Sequence, residues 1–213
     1  MKILVTGFEP FGGEEVNAAW EAVRRLRAPA GAELKKLLLP TVFGLSGDLL
    51  CAALAEEKPE LVLCIGQAAG RAAITPERQA VNRMDASIPD NAGFQPREQP
   101  VVPGGPAALF ARLPVEELAE AIAAAGVPAA VSDSAGLFVC NQLLYRLLYE
   151  MEAEYPAMRG GFLHVPCLPE QAERLGKGKA LPSLPLDDIV RGLQAGLDRL
   201  TEPRFRQRDL SDR

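Results

Sequence analysis

Histidine occurs once in these 213 residues, as His164. That scarcity excludes metal centres built on several imidazoles and leaves any Cys–His pairing a single base to use. Cysteine is also sparse. Cys51, Cys64, Cys140 and Cys167 form no CxxC, and with the lone His164 such scattered cysteines cannot make a zinc site. Four free thiols in a reducing compartment are the expectation. No basic block is present and the formal net charge is −5. A nucleic-acid or anionic-membrane surface is therefore not expected. Long hydrophobic runs are missing too. The apolar stretch in "MKILVTGFEPFGG" is short and ends at a glycine, unlike a signal peptide or a membrane span. These absences together point to a cytoplasmic protein without a metal or other cofactor.

What is present is an ordinary globular balance, 48% hydrophobic and 24% charged, on a chain long enough to bury a sizeable core. Strand-like and helix-like segments alternate. "KILVTGF" (2–8), 32–40, "LVLCIG" (61–66), 129–135 and 160–169 read as strands, the last ending in a proline-rich corner. Segments 17–27 with Asn17 as cap, 46–58 capped by Ser46, 114–126 closed by Gly126, the run after Cys140, and 185–200 read as helices. Residues 66–107 break the pattern with Gly, Pro, Asn, Asp and Gln, apart from a short apolar interruption at 79–82. A long irregular segment in a compact chain marks function or disorder. The alternation predicts a single-domain three-layer α/β/α sandwich with a mostly parallel, mixed sheet over residues 1–201, and a charged, frayed tail at 202–213.

In such sheets sites form where strands end and helices begin. "GLFVCNQLLYRLL" (136–148) places Cys140 at a helix start, since Leu143, Leu144, Leu147, Leu148 and Met151 recur on one helical face. The positive end of the helix dipole, with an adjacent imidazolium, would lower its pKa to about 6 or below. Cys51 lies on a helix and Cys64 in mid-strand, as core thiols do. Cys167 follows His164 by three residues, an offset that in extended chain turns the two side chains to opposite faces. From the residues alone Cys140 is either a nucleophile or a small packed side chain, and His164 either its base or a structural residue. "GFEPFGG" lacks the Lys-Ser/Thr of a phosphate loop and reads as a tight strand-to-helix turn. Phe8 and Phe11 within it suit a small apolar pocket.

Four blocks, "TGFEPFGG" with "VNAAW" (6–20), "GQAAGRAAITPERQAVNRMDASIPDN" (66–91), "AGLFVCNQLLY" (135–145) and "GFLHVPCLPEQ" (161–171), resemble the pyroglutamyl-peptidase I family, also called pyrrolidone-carboxylate peptidases. The resemblance runs over essentially the whole chain. It implies a phosphorylase/hydrolase-like fold and a cysteine exopeptidase that removes N-terminal pyroglutamate from small peptides through a thioester. Carried over by position, it places a catalytic triad on Cys140, His164 and Glu77, and a substrate pocket on Phe8, Phe11, Thr41, Gln67, Ile88, Phe138 and Val139. Asn17 and Gly66 would shape the turns around the site. Backbone N–H groups at the start of the Cys140 helix, and one from the "GQAAGR" loop, would receive the oxyanion. It also implies a homotetramer. Two positions depart from the pattern: Ser87 stands where relatives commonly carry Arg, and Ala69 where they commonly carry Gly. The first leaves open a binding protein on the same scaffold with weakened activity. A nucleoside-phosphorylase-like transferase is a third reading, which would require a basic phosphate site.

Overall fold

Strict alternation along the buried strands gives one sheet two apolar faces. In the computed structural model, which describes residues 1–206 apart from the Arg204 and Arg206 side chains, the strands are β1 (Lys2–Phe8), β2 (Glu33–Leu39), β3 (Leu61–Gln67), β4 (Thr75–Pro76), β5 (Gln79–Val81), β6 (Ala108–Phe110) and β7 (Arg159–Val165). Their order in the main sheet is β2-β1-β3-β7-β4. The first four members run parallel and β4 is antiparallel to β7. β5 and β6 form a separate two-stranded ribbon. The mixed, mostly parallel sheet is the one the sequence predicts.

The helices are α1 (Ala18–Val23), α2 (Leu45–Glu57), α3 (Val115–Ala124), α4 (Val139–Ala153), α5 (Pro169–Gly176), α6 (Leu186–Thr201) and α7 (Pro203–Arg206). Ile3, Val5, Leu61, Leu63, Ile65, Leu163 and Val165 pack on one face with side chains of α1, α3 and α6. Leu4, Val62, Cys64 and Phe162 pack on the other with α2 and α4. Each fully buried aliphatic side chain in these layers contributes about 1.5–3 kcal/mol, which is what holds three layers together.

Several elements differ from their expected form. The first helix stops at Val23 rather than 27, because Lys36 Nζ draws off the Arg24 and Leu26 carbonyls at 2.8 and 2.7 Å. The second begins at Leu45 after Gly44, whose φ of 75° suits glycine. Ser46 is not its cap: the hydroxyl is buried and donates back to the Val42 carbonyl at 3.0 Å. Segment 129–135 is not a strand of the sheet. It lies parallel to β4 with single bridges at Ala129 and Ser132, since Pro76 has no N–H to continue a ladder and Ser132 and Ser134 turn their polar atoms on each other. The proline-rich corner after β7 opens a helix, α5, with Pro169 in its first turn, where a missing N–H costs nothing. The ordered chain also runs past 201: Phe205 of α7 is buried and its carbonyl accepts from Arg159 at 2.8 Å. Residues 207–213 of the expected tail lie outside the described residues.

Candidate active site

The register of the sheet explains how distant residues meet. His164 sits near the C-terminal end of β7, one step from its last residue, and pairs with Gly66 on β3 and with Thr75 on β4. Glu77 follows Thr75 by two residues, so its side chain leaves the same face, diagonal to His164. The Glu77 N–H is fixed to the Phe162 carbonyl at 2.9 Å, and Glu77 Oε1 lies 2.8 Å from His164 Nδ1. Both side chains are buried, Glu77 completely. An Nδ1–H donated to a carboxylate leaves Nε2 as the free base of the ring.

Gly66 is in the strand rather than in a turn, and its missing side chain matters. A Cβ there would stand 2.9 Å from Cys140 Sγ and 2.6 Å from Phe162 Cζ. The thiol therefore rests against bare backbone, on the strand position paired with His164. It is delivered by α4: Phe138 is the N-cap residue and Cys140 lies in the first turn. The N–H groups of that turn have no intrahelical acceptor. Asn141 anchors the turn to the irregular segment, donating to the Val81 and Arg83 carbonyls and accepting from Val81 N, each at 2.9 Å.

Cys140 and His164 line one cavity of about 280 Å³, together with Phe8, Phe11, Asn17, Thr41, Gln67, Ala68, Arg71, Ser134, Ala135, Gly136 and Phe138. None of these described lining residues is Asp or Glu. The polar walls are held rigidly. Gln67 Oε1 accepts from Ala18 N at 2.6 Å, Asn17 Oδ1 from Ala19 N at 3.0 Å, and Thr41 Oγ1 donates to the Glu9 carbonyl at 3.0 Å. Phe138 stacks edge-on to Phe43 at 5.2 Å and lies 6.1 Å from Phe11. The loop carrying Ile88 is fastened nearby by Asp90, whose carboxylate accepts from the N–H groups of Phe43, Ala92 and Phe94, each at 2.9 Å.

Burial dominates the electrostatics. The Cys140 thiol is pushed up to about 12, chiefly by desolvation and next by the negative charge of Glu77, while Arg71 pulls the other way. His164 is pulled below its ordinary 6.5 by desolvation, which outweighs the opposing hydrogen bond it donates to Glu77. Both shifts favour the neutral forms, a thiol at Cys140 and an imidazole at His164, against the lowered thiol pKa expected from the helix dipole and an adjacent imidazolium.

Comparison with known proteins then decides the family. The sequence profile described as Pyroglutamyl peptidase matches residues 1–202. The chain is 51% identical over 199 residues to a pyrrolidone-carboxylate peptidase of Levilactobacillus brevis, covering 92% of this chain and 96% of that one. It is 50% identical to the Streptomyces coelicolor protein of the same name, covering 91% and 89%. Among solved structures, pyroglutamyl peptidase I of Bacillus amyloliquefaciens superposes with a TM-score of 0.87 at 46% identity, covering 92% of this chain and 95% of that one. A mutant pyrrolidone carboxyl peptidase of Pyrococcus furiosus superposes at 0.89 with 39% identity, covering 93% and 97%. The chain belongs to the pyroglutamyl peptidase family.

Within that pyroglutamyl peptidase fold, Phe8, Phe11, Asn17, Thr41, Gln67, Phe138, Cys140 and His164 converge on the cavity, and Glu77 stands behind His164. Ile88 and Val139 are not among the lining residues. Ile88 is 43% exposed on the strap above, and Val139 is fully buried in the α4 layer, because the first helical turn rotates it away from Cys140. Cys64 and Cys167 are buried, Cys51 is half-buried on α2, and none of the three lines the cavity. Ser87 and Ala69 are exposed and also outside it. Sequence reasoning passed over Arg71 and the rim residues Ser134, Ala135 and Gly136. The available signal was an arginine within the turn-rich "GQAAGR" block, six residues before Glu77.

Proposed function

We propose that this member of the family hydrolyses the amide bond after an N-terminal pyroglutamyl residue, with Cys140 as nucleophile, His164 as general base and acid, and Glu77 holding the histidine. The observation that carries the reading is the buried Glu77–His164 contact of 2.8 Å behind a cavity that also holds the Cys140 thiol at a helix start. Pyroglutamate is a neutral lactam with no α-ammonium. A cavity walled by Phe8, Phe11 and Phe138, with neutral Asn17, Thr41 and Gln67 and no lining carboxylate, matches such a group and not a cation.

In the first step His164 Nε2 takes the Cys140 proton as sulfur attacks the carbonyl carbon, because burial favours the neutral thiol. The oxyanion turns toward the free N–H groups in the first turn of α4. Collapse breaks the C–N bond, and the imidazolium protonates the leaving amine, leaving a pyroglutamyl thioester on Cys140. Water then attacks, again with His164 as base, and pyroglutamic acid leaves as the thiol regains its proton. Glu77 stabilises the transient imidazolium and fixes its tautomer throughout. The same proposal includes a cytoplasmic homotetramer, tested by a solution mass of four 22.8 kDa chains. Among the described residues no helix is long and apolar enough to cross a membrane. Ser87 lies exposed and off the cavity, so its replacement of Arg lends the binding-protein alternative no contact.

The test is chromophore release from a pyroglutamyl amide beside the matching prolyl amide. The prolyl ring has the same size, but its nitrogen is cationic. Turnover of the first and not the second, abolished by thiol alkylation, is expected. Equal turnover of both, or none of either, would contradict the assignment.

A further inference from the structure

Arg71 is the one cation among the described residues that line the cavity, apart from any proton on His164. It follows β3 in the rim loop and is 23% exposed through its side chain. Its guanidinium makes three directed contacts. Nη1 lies 2.8 Å from Glu77 Oε1 and also donates to Thr75 Oγ1, and Nη2 donates to the Ser134 carbonyl at 2.9 Å. Glu77 Oε1 therefore faces both Arg71 Nη1, as an ion pair, and His164 Nδ1, while Oε2 has no hydrogen-bond partner among the described residues. All of the side-chain pairing of a completely buried carboxylate converges on one oxygen. Of these two groups Arg71 is the permanently charged one, and it supplies the full counter-charge in contact with Glu77 among the described residues.

We propose that Arg71 is a positioning residue for the hydrolysis, pairing its charge with the buried Glu77 carboxylate that faces His164 while tying that pair to the Ser134 carbonyl at the cavity rim. The inference rests on the peptidase reading above. A planar fork suits it: two nitrogens reach two elements at once, which a lysine ammonium cannot do in one geometry. Without the guanidinium, Glu77 would lose the ion pair that steadies its side chain, and His164 would lose its fixed orientation. Arg71 also bears on the other titratable groups packed here. Its charge lowers both His164 and Cys140, opposing Glu77 at the thiol, and Cys64 is the remaining neighbour that raises Cys140.

The sign of the pH effect follows. Activity needs His164 neutral. Arg71's charge lowers the His164 pKa, so removing the cation raises it and the acid limb of kcat/KM moves to higher pH. The experiment compares wild type, Arg71→Gln and Arg71→Lys on a pyroglutamyl amide, with thermal melting as the check on folding and Cys140→Ala as the dead reference. Arg71→Gln is expected to lower kcat about tenfold or more, to change KM less than about threefold, and to shift the acid limb upward. Arg71→Lys keeps the charge without the fork, so its acid limb stays near that of wild type while kcat falls part of the way. A folded Arg71→Gln with the wild-type kcat and acid limb overturns the inference and leaves the peptidase reading standing. So does a loss confined to KM. If Arg71→Gln does not fold, a wild-type kcat in Arg71→Lys overturns it instead. Absence of turnover by the wild type sinks the peptidase reading, and this inference with it.

Discussion

Cys140 has no side-chain competitor on its strand side, because Gly66 leaves the thiol lying on bare backbone. Gly66→Ala would bring a methyl to 2.9 Å from Sγ and 2.6 Å from Phe162 Cζ. Overpacking of this kind costs about 1–3 kcal/mol in stability. More to the point, it displaces the nucleophile, so kcat on a pyroglutamyl amide should fall well over tenfold while the chain still melts cooperatively. A wild-type kcat in Gly66→Ala would show that the thiol does not work from this position. Glu77→Gln should keep the fold and lower kcat by roughly 10²–10⁴, since an amide can hold the wrong tautomer. The single histidine makes pH informative. A general base must be unprotonated, and burial pulls His164 below 6.5. The acid limb of kcat/KM is therefore expected below pH 6.5. An acid limb above that value would contradict this downward shift. The same shift bears on stability with a definite sign. The unfolded chain takes up a proton below pH 6.5 that the buried ring refuses, so the contribution is present above the unfolded value and is lost as pH falls through the window below it.

At the scale of elements, α4 is tied to the irregular segment through one side chain. Asn141→Ala removes three hydrogen bonds to Val81 and Arg83. The expected loss is about 2 kcal/mol, or roughly 4–8 °C in Tm for a chain of this size. An unchanged Tm would mean that the ribbon of β5 and β6 is held elsewhere. This anchoring also shows what sequence could and could not convey. The uninterrupted apolar runs of β1 and β3 and the spaced leucines of α4 announce themselves, because burial on both faces or on one helical face leaves a regular pattern. The ribbon and the strap at 88–94 do not. Their order comes from Asp90 and Asn141 collecting backbone groups far away in the chain, which no local periodicity records. Segment 129–135 misleads for a related reason: its composition suits a strand, but the partner it meets carries Pro76. α5 was hidden because Pro169 reads as a stop when it is a first-turn residue.

For the molecule as a whole, the candidate site is where the ends of β1, β3 and β7 and the starts of α1 and α4 come together, and its lining residues run from Phe8 to His164. A thiol at a helix start and a lone histidine were legible from the residues. Glu77 was not, since its role depends on β4 lying antiparallel beside β7, and Arg71 was missed because its partners come from two other elements. The central claim is that Cys140 alone forms the bond to the substrate. It is tested most directly by mixing the protein with a pyroglutamyl ester, quenching in acid during turnover and measuring the intact mass of the chain, followed by peptide mapping. The account predicts one pyroglutamyl adduct per chain, on the peptide containing Cys140, absent in Cys140→Ala and still present in Cys51→Ala, Cys64→Ala and Cys167→Ala. An adduct on another cysteine, or hydrolysis that persists in Cys140→Ala, would contradict it.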